Sequence, residues 1–111
     1  MLEPLFGSKT IERILFFLLT NNRCYGAQLS KVFNEALSPF QKGLDRLEAG
    51  GIIVSFLEGK ARVYQFNPRY PFLNELKTFL QKAYEFLPDE LKERCYQPIV
   101  RRRPRRKGKP L

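Results

Sequence analysis

The sequence predicts a mainly α-helical domain with one small β-hairpin, an α+β fold. Apolar residues recur every three or four positions in residues 9–20 and 72–87, as on one face of a helix. Between these segments, the β-rich runs IIVSFL and ARVYQF flank EGK, which indicates a hairpin. The chain of 111 residues has the length of a single domain, and we assign residues 1–97 to that domain.

The positive charge of the chain is concentrated in its C-terminal segment. Residues 101–111 contain five arginines, two lysines and no acidic residue. Residues 1–100 keep 13 basic and 11 acidic residues, so the net charge of +9 falls to +2 there. Such runs are usually disordered and often bind nucleic acid. We therefore predict a disordered basic tail at residues 98–111 that contacts DNA through Arg101, Arg102, Arg103, Arg105 and Arg106. The alternatives are a solubilising tail or a tail that binds RNA or acidic proteins.

Two helices are predicted in the first third of the chain. Ser8 suits the cap of a helix that runs to about Thr20. Its core-facing residues, at helical spacing, are Ile11, Ile14, Leu15, Leu18 and Leu19. Phe16 and Phe17 widen the apolar surface of this helix beyond one core face. A shorter helix is expected from about Ala27 to Phe33, after the turn-forming NNRCYG.

The next helix, residues 38–49, has the clearest start and end. Ser38 suits the N-cap, Pro39 suits the first helical position, and Gln41 completes a capping box. Gly50 and Gly51 provide the left-handed residue that ends the helix. Its inward stripe is Phe40, Leu44 and Leu47.

A glycine in the middle of this helix raises a question. Gly43 weakens the helix by about 1 kcal/mol relative to alanine. A missing side chain permits another surface to approach closely. Our hypothesis is that the helix lies against DNA, although the sequence alone does not distinguish a DNA strand from the preceding helix.

The hairpin is expected to have one apolar face. A loop at Glu58–Lys60 places Ile52, Val54 and Phe56 on the same face as Tyr64 and Phe66. The segment NPRYP ends the second strand, because proline cannot donate to the strand ladder.

A last long helix is predicted from about Phe72 to Leu87, followed by one more short helix in PDELKERCYQP. Leucine and alanine residues form a coiled-coil-like seam, and three phenylalanines repeat every seven residues beside it. The apolar surface is too wide for a surface helix, so the helix either packs in the core or pairs with a second copy. We predict a dimerisation helix, with an interface formed by Phe16, Phe17, Phe72, Leu73, Leu76, Phe79, Leu80, Ala83, Phe86 and Leu87.

The order of the predicted elements is that of a winged helix-turn-helix. The segment SPFQKGLDRLEAGGIIVSFLEGKARVYQFNP resembles the recognition helix and wing of ArsR- and MarR-like transcription regulators of bacteria and archaea. LFGSKTIERILFFLL is similar to the first helix of small winged-helix proteins of this group. The resemblance covers about residues 5–87 and implies the winged-helix fold and DNA binding, whereas the homodimer is inferred from the excess apolar surface alone.

In a helix-turn-helix, the second helix reads base edges in the major groove. The resemblance therefore implies that the outward residues of 38–49 contact double-stranded DNA. They are Ser38, Pro39, Gln41, Lys42, Asp45 and Arg46. Lys60 and Arg62 at the wing tip complete the predicted site. A solvated helix face is the alternative for Lys42 and Arg46, and helix capping is the alternative for Gln41.

These features favour a sequence-specific transcriptional regulator that binds a palindromic operator as a homodimer. The alternatives are a winged helix used for protein interaction and an architectural DNA binder with little base preference. The sequence identifies no small-molecule effector.

Several other classes are not expected. The chain has no histidine, no HExxH motif and no nucleophile elbow, so we do not expect an enzyme. The segment GSKT lacks the glycine that precedes the Gly-Lys pair of a phosphate-binding loop, so we do not expect that loop either. Cys24 and Cys95 lie far apart in the sequence and do not form a metal-ligand cluster, so we expect reduced thiols, no metal and no cofactor. No run of 18 apolar residues and no signal peptide is present, so a cytoplasmic protein without a membrane span is expected.

Overall fold

The computed structural model describes residues 1–98 of the chain. The described elements, in order, are α1 (Glu3–Phe6), α2 (Lys9–Asn21), β1 (Arg23–Cys24), α3 (Gly26–Phe33), α4 (Leu37–Ala49), β2 (Ile53–Glu58), β3 (Ala61–Phe66), α5 (Leu73–Tyr84), α6 (Asp89–Leu91) and a π-helical turn (Lys92–Tyr96). The predicted α+β class is confirmed. The tail arginines Arg101, Arg102, Arg103, Arg105 and Arg106 lie outside the described residues.

Helix α2 is the centre of the core. The predicted cap at Ser8 is confirmed, because its Oγ accepts hydrogen bonds from the Thr10 and Ile11 N–H groups at 3.1 and 3.3 Å. The helix packs against α1, α4, α5, β1 and the π-helical turn. A helix that is apolar on most of its circumference is stable only when neighbours surround it.

Phe16 and Phe17 belong to this core, so their assignment to a dimer interface was wrong. Their exposed fractions are 0% and 1% in the single chain. The rings of Tyr84 and Tyr96 lie 6.0 and 5.6 Å from the ring of Phe16. The C-terminal elements thus cover the second apolar face of α2, which we had expected a partner chain to cover.

Helix α4 begins earlier than predicted, and the capping box at Ser38 and Gln41 is absent. Leu37 is the first helical residue, and the N-cap residue Ala36 makes no side-chain cap hydrogen bond. Pro39 is the third residue of the helix, where it is tolerated because the first four N–H groups have no partner within a helix. The early start is consistent with packing, since the Leu37 side chain lies over Gly26 of α3.

At the end of α4, the predicted left-handed glycine is found at Gly51 and not at Gly50. Gly51 has the left-handed conformation, with φ of 78°, whereas the preceding Gly50 is right-handed with φ of −81°. The Ile52 N–H then donates to the Leu47 carbonyl at 3.0 Å and the Gly51 N–H donates to the Glu48 carbonyl at 3.0 Å. This is the pattern of a Schellman motif.

The close approach predicted at Gly43 is to helix α2, and not to DNA or to the preceding helix α3. Gly43 is buried, and a Cβ atom built on it would lie 2.8 Å from Ile14 Cδ1 and 3.4 Å from Thr10 Cγ2, both on α2. The glycine therefore allows the backbone of α4 to lie directly on α2. Alanine would have a higher helical propensity at position 43, but glycine permits the close contact between α4 and α2.

The three described strands form an antiparallel sheet in the order β1-β3-β2. The short β1 was not predicted, because its two residues lie in a segment rich in turn formers. Glu58 pairs with Ala61, so the wing turn has two residues, Gly59 and Lys60. Gly59 has φ of 64°, which suits a tight hairpin turn.

The predicted hairpin face was wrong by one residue. With a two-residue turn, Ile53 pairs with Phe66, and both face the core with exposed fractions of 1% and 8%. Val54 is only half-buried and Phe56 is exposed. Because side chains alternate between the two faces of a strand, shortening the turn by one residue exchanges the faces of β2.

Helix α5 is shorter than predicted, and its seam is divided between core and surface. Leu80, Ala83 and Leu87 are buried in the single chain, which contradicts their assignment to a dimer interface. Leu73 and Leu76 are half-buried and pack against the core. The three phenylalanines of the seven-residue repeat are exposed, with exposed fractions of 63% for Phe72, 41% for Phe79 and 70% for Phe86. None of the described helices is long and apolar enough to cross a membrane.

Gly43→Ala should lower the free energy of unfolding by about 1 kcal/mol. The steric conflict with Ile14 costs about 1–3 kcal/mol and exceeds the gain of about 1 kcal/mol in helical propensity. In the Ile14→Val background, which lacks the conflicting Cδ1, the same substitution should raise the free energy of unfolding. Urea denaturation of the four proteins measures this reversal of sign.

Gly50→Ala is the matched control, because a Cβ there has its nearest neighbour at 3.6 Å. It should change stability by less than about 0.5 kcal/mol. Stabilisation by Gly43→Ala in the wild-type background would contradict the close contact of α4 with α2.

Candidate nucleic-acid interface

Helices α3 and α4 are held in a helix-turn-helix by small residues and one ion pair. At the first position of α3, a Cβ on Gly26 would lie 3.1 Å from Leu37 Cδ1 and 3.2 Å from Gln41 Oε1. In the turn, Arg13 Nη1 of α2 lies 2.8 Å from Glu35 Oε1. This hydrogen bond and the charge of Arg13 hold the pKa of Glu35 below its usual range. The turn is therefore fixed to α2 as well as to α4.

The outer face of α4 carries most of the residues that were predicted to contact DNA. Exposed on it are Ser38, Pro39, Lys42, Asp45 and Arg46. Within residues 1–98, the structure gives no ion pair for Lys42 or Arg46. These two cations lie four residues apart, one helical turn along the same surface. Arg46 also lies at the edge of a cavity of about 410 Å³ between α1, α2 and α5.

Gln41 differs from the other members of this set. Its Nε2 donates to the Tyr64 hydroxyl of β3 at 3.0 Å and to Asp45 Oδ1 at 3.2 Å. Both protons of the amide are thus engaged within the protein. The role that the geometry gives to Gln41 is to join α4 to the wing, not to cap the helix.

A second set of hydrogen bonds joins α4 to the wing near the end of the helix. Ser55 Oγ of β2 donates to Glu48 Oε2 at 2.6 Å and accepts from Arg62 Nη1 of β3 at 3.0 Å. The guanidinium of Arg62 is therefore oriented toward α4. Lys60 in the wing turn is exposed. The wing thus has two exposed basic residues, of which Arg62 is connected to α4 through Ser55.

At the far edge of the sheet, β1 fixes the wing from the other side. Arg23 Nη2 lies 2.6 Å from Glu58 Oε2, and its guanidinium lies 5.5 Å from the centre of the Phe56 ring. Sequence reasoning missed this contact and the roles of Tyr64, Ser55 and Glu48. The Arg23–Glu58 and Gln41–Tyr64 contacts join residues 35 and 23 positions apart, and the Ser55 contacts depend on the register of the hairpin, so no local spacing could have indicated them.

The two cysteines are free and buried, which agrees with the prediction of reduced thiols. Burial raises the pKa of Cys24 to about 12, so its thiol remains protonated at neutral pH. A protonated thiol is neither a good nucleophile nor a good metal ligand. Among the described residues, no group of three or more His, Cys, Asp or Glu side chains could hold a metal ion.

With α4 following α3 across a short turn and the β2–β3 hairpin beside it, the chain has the winged helix-turn-helix fold. α4 occupies the position of the recognition helix and β2–β3 forms the wing. The comparison with solved structures supports this architecture, and its matches include a MarR family transcriptional regulator. No protein-family model matches the sequence, and no curated protein matches it.

Three solved structures illustrate the likeness. The adhesin competence repressor AdcR of Streptococcus pyogenes is 16% identical, with a TM-score of 0.55 over 78% of this chain and 66% of that protein. A MarR family transcriptional regulator of Silicibacter pomeroyi DSS-3 is 19% identical, with a TM-score of 0.57 over 75% of this chain and 59% of that one. ZitR of Lactococcus lactis is 14% identical, with a TM-score of 0.53 over 83% of this chain and 78% of that one. The chain thus spans slightly less than two thirds of the first two proteins.

Tyr64→Phe should lower the free energy of unfolding by about 1 kcal/mol, because it removes the hydroxyl that accepts from Gln41 in a buried position. Gln41→Ala should have little further effect in the Tyr64→Phe background, since the two side chains share one bond. Thermal or urea denaturation of both single variants and the double variant measures the coupling.

Tyr70→Phe, at a half-buried tyrosine that makes ring contacts with Phe72, is the control and should be nearly neutral. Additive effects of Gln41→Ala and Tyr64→Phe would contradict the bond between α4 and the wing.

Proposed function

We propose that this protein is a DNA-binding transcriptional regulator that recognises a palindromic operator as a homodimer. The observation that carries the proposal is the pair of exposed cations on α4, Lys42 and Arg46, without ion-pair partners within residues 1–98. They lie on the recognition helix of a winged helix-turn-helix, between the wing and α2. The structural neighbours include proteins described as a repressor and a transcriptional regulator, which supports the same function.

In the proposed complex, α4 enters the major groove and its outer face contacts the base edges. Arg46 suits bidentate hydrogen bonds to guanine, which discriminate against other bases by about 1–3 kcal/mol. Lys42 provides a base or phosphate contact one turn away. The contact face is completed by Ser38, Pro39 and Asp45. The negative charge of Asp45 disfavours a DNA phosphate next to this side chain. Gln41, whose amide protons are engaged with Tyr64 and Asp45, positions the helix.

The wing supplies the second contact. Lys60 in the turn and Arg62 on β3 extend toward the groove that flanks α4, where they neutralise phosphates. The hydrogen bonds of Arg62 with Ser55 and of Ser55 with Glu48 set its position relative to α4. The wing therefore follows any change in the orientation of the recognition helix.

The proposed dimer uses the apolar surface that the single chain leaves open. Phe72, Phe79 and Phe86 of α5 are exposed, and so is Leu5 of α1, with an exposed fraction of 63%. The rings of Phe6 and Phe79 lie 6.4 Å apart, so α1 and α5 form one continuous surface. A two-fold dimer through this surface repeats the recognition helix, and a spacing of about one DNA turn between the two copies suits a palindromic operator.

Selection from a random pool of duplexes at physiological salt should enrich one palindromic motif. Lys42→Gln and Arg46→Gln should each weaken binding to that motif. Arg46→Gln should also relax the preference at one base pair in each half-site, because it removes a directional contact to a base edge. Lys42→Gln should weaken all sequences more evenly if it contacts phosphate.

Lys77→Gln, at an exposed position of α5, is the matched control and should leave the selected motif and its affinity unchanged. Retention of DNA without enrichment of any motif would favour an architectural DNA binder. No retention by the full chain would favour a winged helix that serves protein interaction.

Phe72→Asp combined with Phe79→Asp should convert the protein to a monomer, because each carboxylate would be buried without a partner in the dimer. Sedimentation equilibrium gives the mass directly. Leu57→Asp on the wing, where the exposed fraction of the leucine is 62%, should leave the dimer intact. A wild-type protein that sediments as a monomer would contradict the proposed dimer without affecting DNA binding by each copy.

A further inference from the structure

One exposed leucine lies near the tip of the wing, on the face of the hairpin that packs against α4. Because side chains alternate between the two faces of a strand, Ile53, Ser55 and Leu57 share one face of β2. At its base this face belongs to the core, since Ile53 is 1% exposed. Further along it contacts α4, where Ser55 Oγ donates to Glu48 Oε2 at 2.6 Å. Leu57 lies two residues, or about 7 Å, beyond Ser55 and is 62% exposed.

The neighbours of Leu57 at the tip are cations. Arg62 is its partner across the hairpin, and Lys60 lies in the turn. Both side chains are exposed, and within the described part of the chain neither forms an ion pair. Cross-strand partners have Cβ atoms about 4.5–5.5 Å apart, so the leucine lies directly beside the stem of Arg62. The tip of the wing therefore combines an apolar side chain with two positive charges.

The acidic residue of the hairpin is held on the opposite face. Glu58 is the single carboxylate in the sequence between residues 53 and 66, and it shares a face of β2 with Phe56. Arg23 Nη2 of β1 lies 2.6 Å from Glu58 Oε2, and the Arg23 guanidinium lies 5.5 Å from the centre of the Phe56 ring. Arg23 thus neutralises Glu58 on the face that is turned away from α4. A polyanion that approaches from the α4 side meets the leucine and the two cations.

This combination of groups suits the minor groove of DNA. Minor-groove binders insert apolar side chains such as leucine between base pairs, which unstacks one base step and kinks the duplex. Lysine and arginine beside such a side chain neutralise the phosphates that border the groove. One leucine between two cations is far too small an apolar surface for a stable protein interface, which buries about 800 Å² on each partner. Charge and size therefore both favour DNA as the occupant of this surface.

We propose that Leu57 inserts into the minor groove of the operator, beside the half-site that α4 contacts, and unstacks one base step there. The inference rests on the proposed function, since it requires an operator. It adds a source of sequence preference that makes no hydrogen bond to a base. Pyrimidine–purine steps unstack at the lowest cost, so this position of the operator should favour TA or CA/TG. The base edges are contacted by α4, and the deformability of the flank is sensed by Leu57.

The first test measures DNA bending and flank preference in the full chain and in its Leu57→Ala variant. Energy transfer between dyes at the two ends of the selected operator reports the bend. The wild type should bend the operator by about 20–90°. Leu57→Ala should reduce this bend by at least about half and weaken binding roughly 10-fold, because the buried apolar contact is lost. Selection with the variant should return the same central motif without the preference for a pyrimidine–purine step.

Salt dependence separates the apolar contact from the charges beside it. Leu57→Ala keeps every phosphate contact, so the slope of log Kd against log salt should not change. Lys60→Gln should lower this slope by about 0.9, and the preference for a pyrimidine–purine step should persist. A slope that falls by the same amount in both variants would overturn the inference.

Two variants control for the size and the position of the side chain. Leu57→Met keeps an apolar side chain of similar size, so the bend and the flank preference should remain. Phe56→Ala removes an apolar side chain from the opposite face of the same strand and should change neither quantity, with urea denaturation to verify that the variant is folded. Equal effects of Leu57→Ala and Phe56→Ala on the bend would contradict insertion by Leu57.

A charge-matched pair of variants tests the ion pair on the far face. Arg23→Gln leaves Glu58 without its partner and should weaken operator binding, because the free carboxylate repels the phosphates. Adding Glu58→Gln returns the net charge to that of the wild type and should restore the affinity. A double variant that binds as weakly as Arg23→Gln would overturn the role of Arg23 as the partner that neutralises Glu58.

The remaining outcomes distinguish this inference from the proposed function. If the wild type selects no motif, the proposed function fails and the inference fails with it. If the wild type selects a motif without bending it, the inference alone fails. It also fails if Leu57→Ala loses affinity with an unchanged bend, because the leucine then contacts the groove without unstacking a base step.

Discussion

The architecture depends on the contact between α2 and α4 at Gly43. Because this residue has no side chain, α4 lies against Ile14 and Thr10 of a helix that is itself surrounded by the rest of the domain. The position of α4 is therefore set by the helix that has the most buried residues within the described part of the chain. A larger residue at position 43 would move α4 outward and would shift its whole contact face relative to the wing. Gly43, which lowers the helical propensity in the middle of α4, is thus the residue that permits the contact fixing the position of this helix.

Two further contacts extend this constraint to the wing. The Gln41–Tyr64 hydrogen bond holds the first half of α4 to β3, and Ser55 links Glu48 of the second half to Arg62. With these hydrogen bonds near both of its ends, α4 has a defined orientation relative to the wing. In the proposed complex this orientation would matter, because a base-edge hydrogen bond tolerates only small errors in distance and angle. Gln41 and Glu48 thus position α4 against the hairpin.

The predictions that were confirmed rest on the spacing of neighbouring residues. The predictions that depend on the length of the wing turn or on contacts between distant residues were wrong. The cap at Ser8, the left-handed Gly51 and the exposed face of α4 follow from short-range spacing and were found. The hairpin face failed because a turn shorter by one residue reverses every side chain of β2. Phe16 and Leu80 were assigned to a dimer because nothing in the local pattern shows that Tyr84 and Tyr96 return to cover α2. The hydrogen bonds of Gln41 and Ser55 had no sequence signal for the same reason.

The charges on the outer face of α4 nearly cancel. Asp45 and Glu48 offset the charges of Lys42 and Arg46, so in the proposed complex this face would have little attraction for arbitrary DNA and would gain free energy only where hydrogen bonds match. A strongly basic α4 would bind every sequence well and would discriminate poorly between operator and bulk DNA. In the proposed function, base recognition therefore falls to a nearly neutral helix face.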